Sequence, residues 1–388
     1  MTPAKAPLRV VLVTHYFPEH RGGVERIAGE LALRLAAAGV AEIHWYASDC
    51  DRPPPPTPRL ATFPQHSWNF AERRLGVPYP VWSLASLRRL TRACQAADVV
   101  HLHDCLYVPT LAAFAAARRA SRPVVVTQHV GHVPYRNPLL SALHEAANRT
   151  LGRIVLGGAE RAIFESESVL KYFGGFVHYR AAPMLVENGV DTDVFKPAAD
   201  SERSLLREHL GLPTDRPLLL FLGRFVEKKG LPVLRELAAR LPQAHWVFAG
   251  WGPLDPGQWS QPNVSVVRRP TPEDLPPVYQ AADLLVLPSV GEGMPLSVQE
   301  AMACGTPALV GTETAAGSPQ ARAVLLAEPA TGADTAERWA ARLRAILAAP
   351  NHLAALRAQV AMFARQHWSW EACARRYSEI LWDCARPL

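Results

Sequence analysis

The chain has 388 residues, 49% of them apolar and 20% charged, a balance that excludes a disordered chain and suits two domains. Its net charge of +6 fits a binder of phosphates or of an anionic lipid surface and is too small to argue for nucleic acid. The cysteines (Cys50, Cys94, Cys105, Cys304, Cys373, Cys384) have neither zinc spacing nor a disulfide pattern, and no apolar run approaches the ~20 residues of a membrane helix, so a cytoplasmic location is expected. In chain order, Leu8 to Val13 reads as a buried strand, too short for a signal-peptide core. A loop through Gly22, Gly23 and Glu25 follows, then a helix over 26–38 with Ile27, Leu31 and Leu35 on one face, ended by Gly39. Strand, Gly-Gly loop and helix cradle a phosphate well, because backbone N–H groups approach an anion with no Cβ in the way; the same residues also suit a plain tight turn.

Ile43 to Ala47 is the next strand, and Pro53 to Pro56 marks a rigid loop. Residues 82–97 read as a helix in which Arg88, Arg89 and Arg92 alternate with Leu84, Leu87 and Leu90, with Arg59, Arg73 and Arg74 upstream. Such a basic amphipathic segment suits an anionic membrane or, equally, an ordinary surface. Two strands then deliver histidines to their C-terminal ends, where open α/β sheets bind ligands: His103 with Asp104, and His129 after Thr127. Asp104 suits an acceptor hydroxyl or a helix N-cap.

The second half repeats the design. Leu218 to Leu222 is a strand that presents Arg224 and Lys229, a cation pair suited to a diphosphate or to a solvated loop. His245 to Ala249 leads into Gly250 and Gly252, which let a chain wrap a nucleotide or simply turn. Leu284 to Leu287 opens the richest stretch, Pro-Ser-Val-Gly-Glu-Gly-Met-Pro-Leu-Ser-Val-Gln-Glu-Ala-Met-Ala-Cys-Gly over 288–305. Gly291 and Gly293 turn the chain beside Glu292, Pro295 suits a helix start, and Gly305 suits its end. Glu292 and Glu300 suit hydroxyls, and the helix N-terminus suits phosphate; together they ask for a sugar nucleotide.

This stretch resembles the signature of the retaining glycosyltransferases of family 4, which have the GT-B fold. Similar matches are Pro18 through Gly22-Gly23-x-Glu25, Thr127-x-His129, Asn188-Gly189-Val190-Asp191 through Phe195-x-Pro197, Gly223-Arg224 through Lys229-Gly230, Gly250-x-Gly252-Pro253 and Trp368-Ser369-Trp370-Glu371. The resemblance implies an α/β fold of two Rossmann-like domains facing across a central cleft. An acceptor domain would span 1–183, a nucleotide-sugar donor domain 184–369, and a tail helix, about 370–388, would pack back on the first.

By the same resemblance, Gly22, Gly23, Arg224, Lys229, Gly250, Gly252, Glu292, Gly293, Met294, Pro295, Leu296 and Glu300 would contact the donor. Catalysis would fall to His129, Arg224, Lys229 and Glu292, and acceptor binding to Glu25, His103 and Asp104. The implied reaction moves a sugar from a UDP- or GDP-type donor to a glycan or lipid-linked hydroxyl, with retention, in cell-surface polysaccharide, lipopolysaccharide or glycolipid synthesis. The leaving phosphate would help to deprotonate the acceptor, and no metal or resident cofactor is expected. A catalytically inactive sugar-nucleotide binder of the same fold is the alternative. Two departures stand out: Arg268-Arg269 replaces glycine plus an apolar residue near the expected nucleobase, and the glycine-rich segment expected after Val310 is missing.

Overall fold

Short runs of valine, isoleucine and leucine build two sheets of parallel strands. Strands covered on both faces read as unbroken apolar runs rather than alternating ones. The computed structural model describes residues 6–20, 23–75, 79–131, 138–290 and 293–385. The chain divides into one unit of Met1–Asn188 with Cys373–Leu388 and another of Gly189–Ala372.

In the first unit, β1 (Leu8–Val13), α1 (Gly23–Ala37), β2 (Ala41–Ser48) and β3 (Leu60–Gln65) lead to a small hairpin, β4 (Ser67–Trp68) and β5 (Val81–Trp82), which flanks α2 (Phe70–Leu75). Then come α3 (Leu84–Ala96), β6 (Val99–His103), α4 (Val108–Arg119), β7 (Val124–Gln128) and α5 (Pro138–Ala147). A π-helical turn (Asn148–Gly152) joins α5 to α6 (Arg153–Gly158), followed by β8 (Arg161–Phe164), α7 (Glu167–Gly174) and β9 (Met184–Leu185). Among the described residues the main sheet has seven strands in the order β3-β2-β1-β6-β7-β8-β9, each neighbouring pair parallel. Every residue of β6 and β7 is buried.

Two helix starts differ from the sequence reading. The first helix takes in Gly23, so it begins directly at the glycine pair. The basic helix begins only at Leu84, because Trp82 pairs in the hairpin and the Ser83 hydroxyl caps the helix by accepting from Ser86 N.

The second unit holds α8 (Asp200–His209), β10 (Leu218–Arg224), α9 (Leu231–Arg240), β11 (His245–Trp251), β12 (Val264–Arg268), α10 (Leu275–Ala281), β13 (Leu284–Leu287), α11 (Leu296–Ala303) and β14 (Ala308–Gly311). It continues with α12 (Thr312–Ala316), β15 (Leu326–Glu328), α13 (Thr335–Leu347) and α14 (Pro350–His367). Its parallel strands run β12-β11-β10-β13-β14-β15. Asp283, just before β13, ties this unit together: its carboxylate accepts from Arg203 at 2.7 Å and from Leu218 N at 2.8 Å, and pairs with Arg207 at 2.8 Å.

The segment that follows Asn188 is held by residues distant in sequence. Val190 N donates to the Trp368 carbonyl, the Trp370 ring lies against Gly189, and Phe195 meets the Tyr279 ring edge-on. Phe195 thus anchors that segment in apolar surface, as its sequence context suggests. Trp368 is fully buried, and the Ser369 hydroxyl accepts from Ala372 N at the start of the last helix, α15 (Trp370–Ala385). The order of each sheet reverses once, between β1 and β6 and between β10 and β13. Crevices at the C-terminal ends of strands beside such reversals are where open α/β sheets hold ligands.

Candidate active site

In the first unit the reversal gathers histidines. Strands β6 and β7 run in register, His103 opposite Thr127, so His103-Asp104 and Gln128-His129 leave the sheet side by side. His103 Nδ1 lies 2.8 Å from His129 Nε2. On its other side, His129 Nδ1 lies 2.7 Å from Glu165 Oε1, with the His129 side chain only 4% exposed. Burial alone would push an imidazole towards neutrality, but the Glu165 carboxylate, helped by Asp104 and Glu25, raises the His129 pKa to about 9. Burial drives His103 well below the ordinary histidine value, and the imidazoles of His101 and His129 push the same way.

At neutral pH the row is therefore carboxylate, imidazolium, neutral imidazole. His129 Nε2–H donates to His103 Nδ1, which leaves the His103 proton on Nε2, a buried atom with no partner among the described residues. Burial also lowers His101, to about 3, and its Nε2 lies 2.8 Å from the Thr127 hydroxyl, itself 3.1 Å from the Tyr377 hydroxyl of α15.

Asp104 holds this corner in shape. Its backbone has φ +60°, a left-handed conformation that aspartate tolerates better than most residues. One carboxylate oxygen accepts from His129 N at 2.9 Å, Val130 N at 3.2 Å and the Gln128 amide at 2.9 Å. Asp104 thus caps the β7 loop rather than a helix; the residue at the N-cap of α4 is Tyr107. Asp104→Ala should cost about 3 kcal/mol of stability by stranding those donors, whereas Asp104→Asn, which tolerates the same φ, should stay within about 1 kcal/mol. Urea titration of both variants checks this.

Glu25, in the first turn of α1, is buried and sits 2.8 Å from His15 Nε2. Burial opposes its ionisation, but the bond to His15 outweighs it and the carboxyl pKa falls. The His15 ring stacks on Tyr107 at 4.0 Å. A Cβ on Gly23 would meet nothing within 4 Å, so the approach to the start of α1 is open. Gly22 lies outside the described residues.

In the second unit, β10 and β13 are parallel neighbours, so the loop from Arg224 to Lys229 leaves the sheet beside the loop after Leu287. Val290 N donates to the Lys228 carbonyl at 3.0 Å and ties the two loops together. Arg224 is exposed, and the half-buried Lys229 reaches back so that its Cε lies near Gly223. Gly293 and Met294 follow on the β13 side, with Met294 buried; Pro295 is the N-cap residue of α11, and Leu296 is its first residue. Glu300, also buried, accepts from the Tyr279 hydroxyl at 2.8 Å. Gly305, with φ +74°, ends α11 as expected. Glu292 lies outside the described residues.

Gly250 and Gly252 are demanded by the loop itself. They sit at φ +148° and +157°, and a Cβ would lie 1.9 Å from the Gly223 carbonyl oxygen and 2.4 Å from that of Phe225. After β12, Arg268 pairs with Asp255 at 2.9 Å, while Arg269 adopts φ +50° as its N–H donates to Gly250.

The structure thus brings together His103, Asp104 and His129 in one unit, and the Arg224–Lys229 loop with the loop after Leu287 in the other. Sequence reasoning gave no role to Glu165, His15 or Tyr377. Glu165 directly follows β8, the neighbour of β7, and it is that pairing that puts it beside His129.

Comparison with known proteins covers the same ground. The Glycosyltransferase Family 4 profile matches residues 21–194, and that of Glycosyl transferases group 1 matches 216–349. A D-inositol 3-phosphate glycosyltransferase of Mycolicibacterium paratuberculosis (strain ATCC BAA-968 / K-10) is 30% identical over 295 residues, 71% of this chain. The match spans only 64% of that relative. Among solved structures, sucrose-phosphate synthase from Thermosynechococcus elongatus superposes with a TM-score of 0.72 at 21% identity, over 97% of this chain and 98% of its own. Anabaena Alr3699/HepE in complex with UDP gives 0.70 at 16% identity, over 97% and 100%. Both share the two Rossmann-like domains of the GT-B fold. A D-inositol 3-phosphate glycosyltransferase of Salinispora arenicola (strain CNS-205) is 30% identical over 97% of this chain and 92% of its own length, and on that breadth of match the chain belongs to glycosyltransferase family 4.

Proposed function

We propose that the protein transfers a sugar from a nucleotide-diphosphate donor to an acceptor hydroxyl, with retention of anomeric configuration and without a metal ion. The observation that carries this is the pairing, at the sheet reversal of the second unit, of the Arg224–Lys229 loop with the loop that follows Leu287. Cations fixed beside the strand ends would grip the diphosphate and offset the charge that grows on it as the glycosidic bond breaks. Glu292 and Glu300 would accept from hydroxyls of the donor, and the segment from Gly293 to Leu296 would lie along it. Gly22 and Gly23 would line the approach at the start of α1. A uridine nucleotide is favoured, because the structural neighbour Alr3699/HepE was solved with UDP and with UDP-glucose.

The first unit would supply the acceptor groups, and its His129 imidazolium would take part in catalysis. Retention would follow a same-face substitution in which the departing phosphate takes the acceptor proton. The acceptor would be a glycan or lipid-linked hydroxyl in surface-polysaccharide or glycolipid synthesis, reached in the cytoplasm at an anionic membrane face. Among the described residues no helix is long and apolar enough to cross a membrane. A second reading, a phosphorylated polyol acceptor, is favoured by the name of the relatives aligned above.

A thermal-shift panel of UDP-, GDP- and ADP-sugars should raise the melting temperature with one nucleotide class, since ligand bound only to the native state stabilises it. Turnover of that donor should persist in excess EDTA. Loss of turnover in EDTA, or no shift with any donor, would contradict the proposal.

A further inference from the structure

The helical run from Pro138 to Gly158 carries apolar residues on the wrong side for a core. Helix α5 has no buried residue, and Leu139, Leu143, Leu151 and Ile154 are 77%, 65%, 39% and 61% exposed. The opposite face, with Asn148, Gly152, Val155 and Leu156, is buried. At about 100° per residue Leu139 and Leu143 share one face. The wider π turn between α5 and α6 slows the rotation. Leu151 and Ile154 therefore stay in line with the first two, and the run presents one continuous apolar ridge. Isolated exposed apolar residues need no explanation; a ridge of three leucines and an isoleucine marks a contact surface.

The charges around the ridge identify what it meets. Arg149 and Arg153 are exposed on its flank, and Arg149 holds the nearby Glu145 in an ion pair at 2.6 Å. Helix α3, whose Leu90 and Cys94 join the same core cluster as Val155 and Leu156 of α6, belongs to the same helical layer. Its outward residues include Arg88, Arg89 and Arg92, and Leu84–Ala96 contains no carboxylate. Apolar side chains flanked by arginines are the pattern of a helix lying in the interface of an anionic bilayer.

We infer that the 138–158 ridge docks the protein on an anionic lipid surface, with α3 adding positive charge. The inference rests on the reading above that the acceptor lies at a membrane, and it names the face that meets it. The test is co-sedimentation of the full chain with phosphatidylcholine vesicles, with and without phosphatidylglycerol. Binding should require the anionic lipid and weaken with salt. Leu143→Ser with Ile154→Ser, both exposed, should weaken it at least about tenfold, and Arg153→Gln should reduce its salt dependence. Three results would overturn the proposal: no vesicle binding, binding that L143S/I154S leaves unchanged, or a concentration-dependent dimer that this variant dissolves, which would mean a second copy covers the ridge. Donor-induced thermal shifts, measured on the same samples, report separately on the transferase reading.

Discussion

Lys229→Ala should lower kcat/KM for sugar transfer by roughly 10²–10³-fold while leaving the unfolding midpoint nearly unchanged. Removing one preorganised group that faces developing charge costs about that much. The Lys229 side chain is half-buried beside Gly223 and outside the second unit's core, so its loss leaves the packing intact. Lys229→Arg should recover part of the rate: the charge is kept, but a planar fork replaces a compact ammonium.

Glu300 calls for a finer pair of variants, because its carboxylate also accepts from Tyr279. Glu300→Gln keeps an acceptor for that hydroxyl and removes only the charge; it should raise KM for the donor more than it lowers kcat. Glu300→Ala also strands a buried hydroxyl, and should add about 1–3 kcal/mol of destabilisation. Steady-state kinetics with the donor found by the thermal-shift panel decides both cases. Wild-type turnover by Lys229→Ala would remove the assigned role.

Glu165→Gln should move the alkaline limb of the pH–rate profile towards acid by about two pH units. Glu165 holds His129 as a buried cation, with a pKa raised to about 9 against the ordinary value of 6.5. A group whose pKa is raised on folding contributes stability that is complete below the unfolded value. That contribution fades as pH climbs through the folded value. The window here runs from about pH 6.5 to about pH 9, provided Glu165 stays ionised, and the stabilisation is on the order of 3 kcal/mol.

Without the carboxylate, burial wins and His129 loses its proton near or below neutrality. That escape limits the structural cost of the variant: the ring sheds its proton instead of remaining an unpaired buried charge. If the imidazolium serves catalysis, activity at pH 8 should fall far more than stability. Glu165→Asp, a shorter carboxylate, should restore part of the profile. A merely structural role for Glu165 would lower stability without moving the limb, so kinetics and thermal melts across pH 5–10 separate the two.

The reach of the sequence shows in particular residues. Leu284–Leu287 is legible as a strand because parallel strands covered on both faces read as unbroken apolar runs, and Leu8–Val13 comes close to that pattern, broken only at Arg9. Gly305 is legible as a helix end for an equally local reason. The role of Asp104 is not. Its three donors come from residues 24 to 26 positions later, and only the pairing of β6 with β7 puts them in reach. Gly250 and Gly252 are legible as a turn, but that a Cβ at either would strike the backbone of Gly223 or Phe225 is visible only in the fold.

Side-chain chemistry along the chain was enough to specify two parallel-sheet units, the loops that carry cations and carboxylates, and the family. Those are matters of periodicity, turn residues and short spacings, which act over a few bonds. The electrostatic state of His129 belongs to the folded molecule alone. Glu165 comes from the loop after the neighbouring strand β8, and Asp104 and Glu25, which also favour the charge, from other parts of the first unit. Whether a histidine is charged depends on what surrounds it in a medium of low polarity, and those surroundings exist only once strands distant in sequence end side by side.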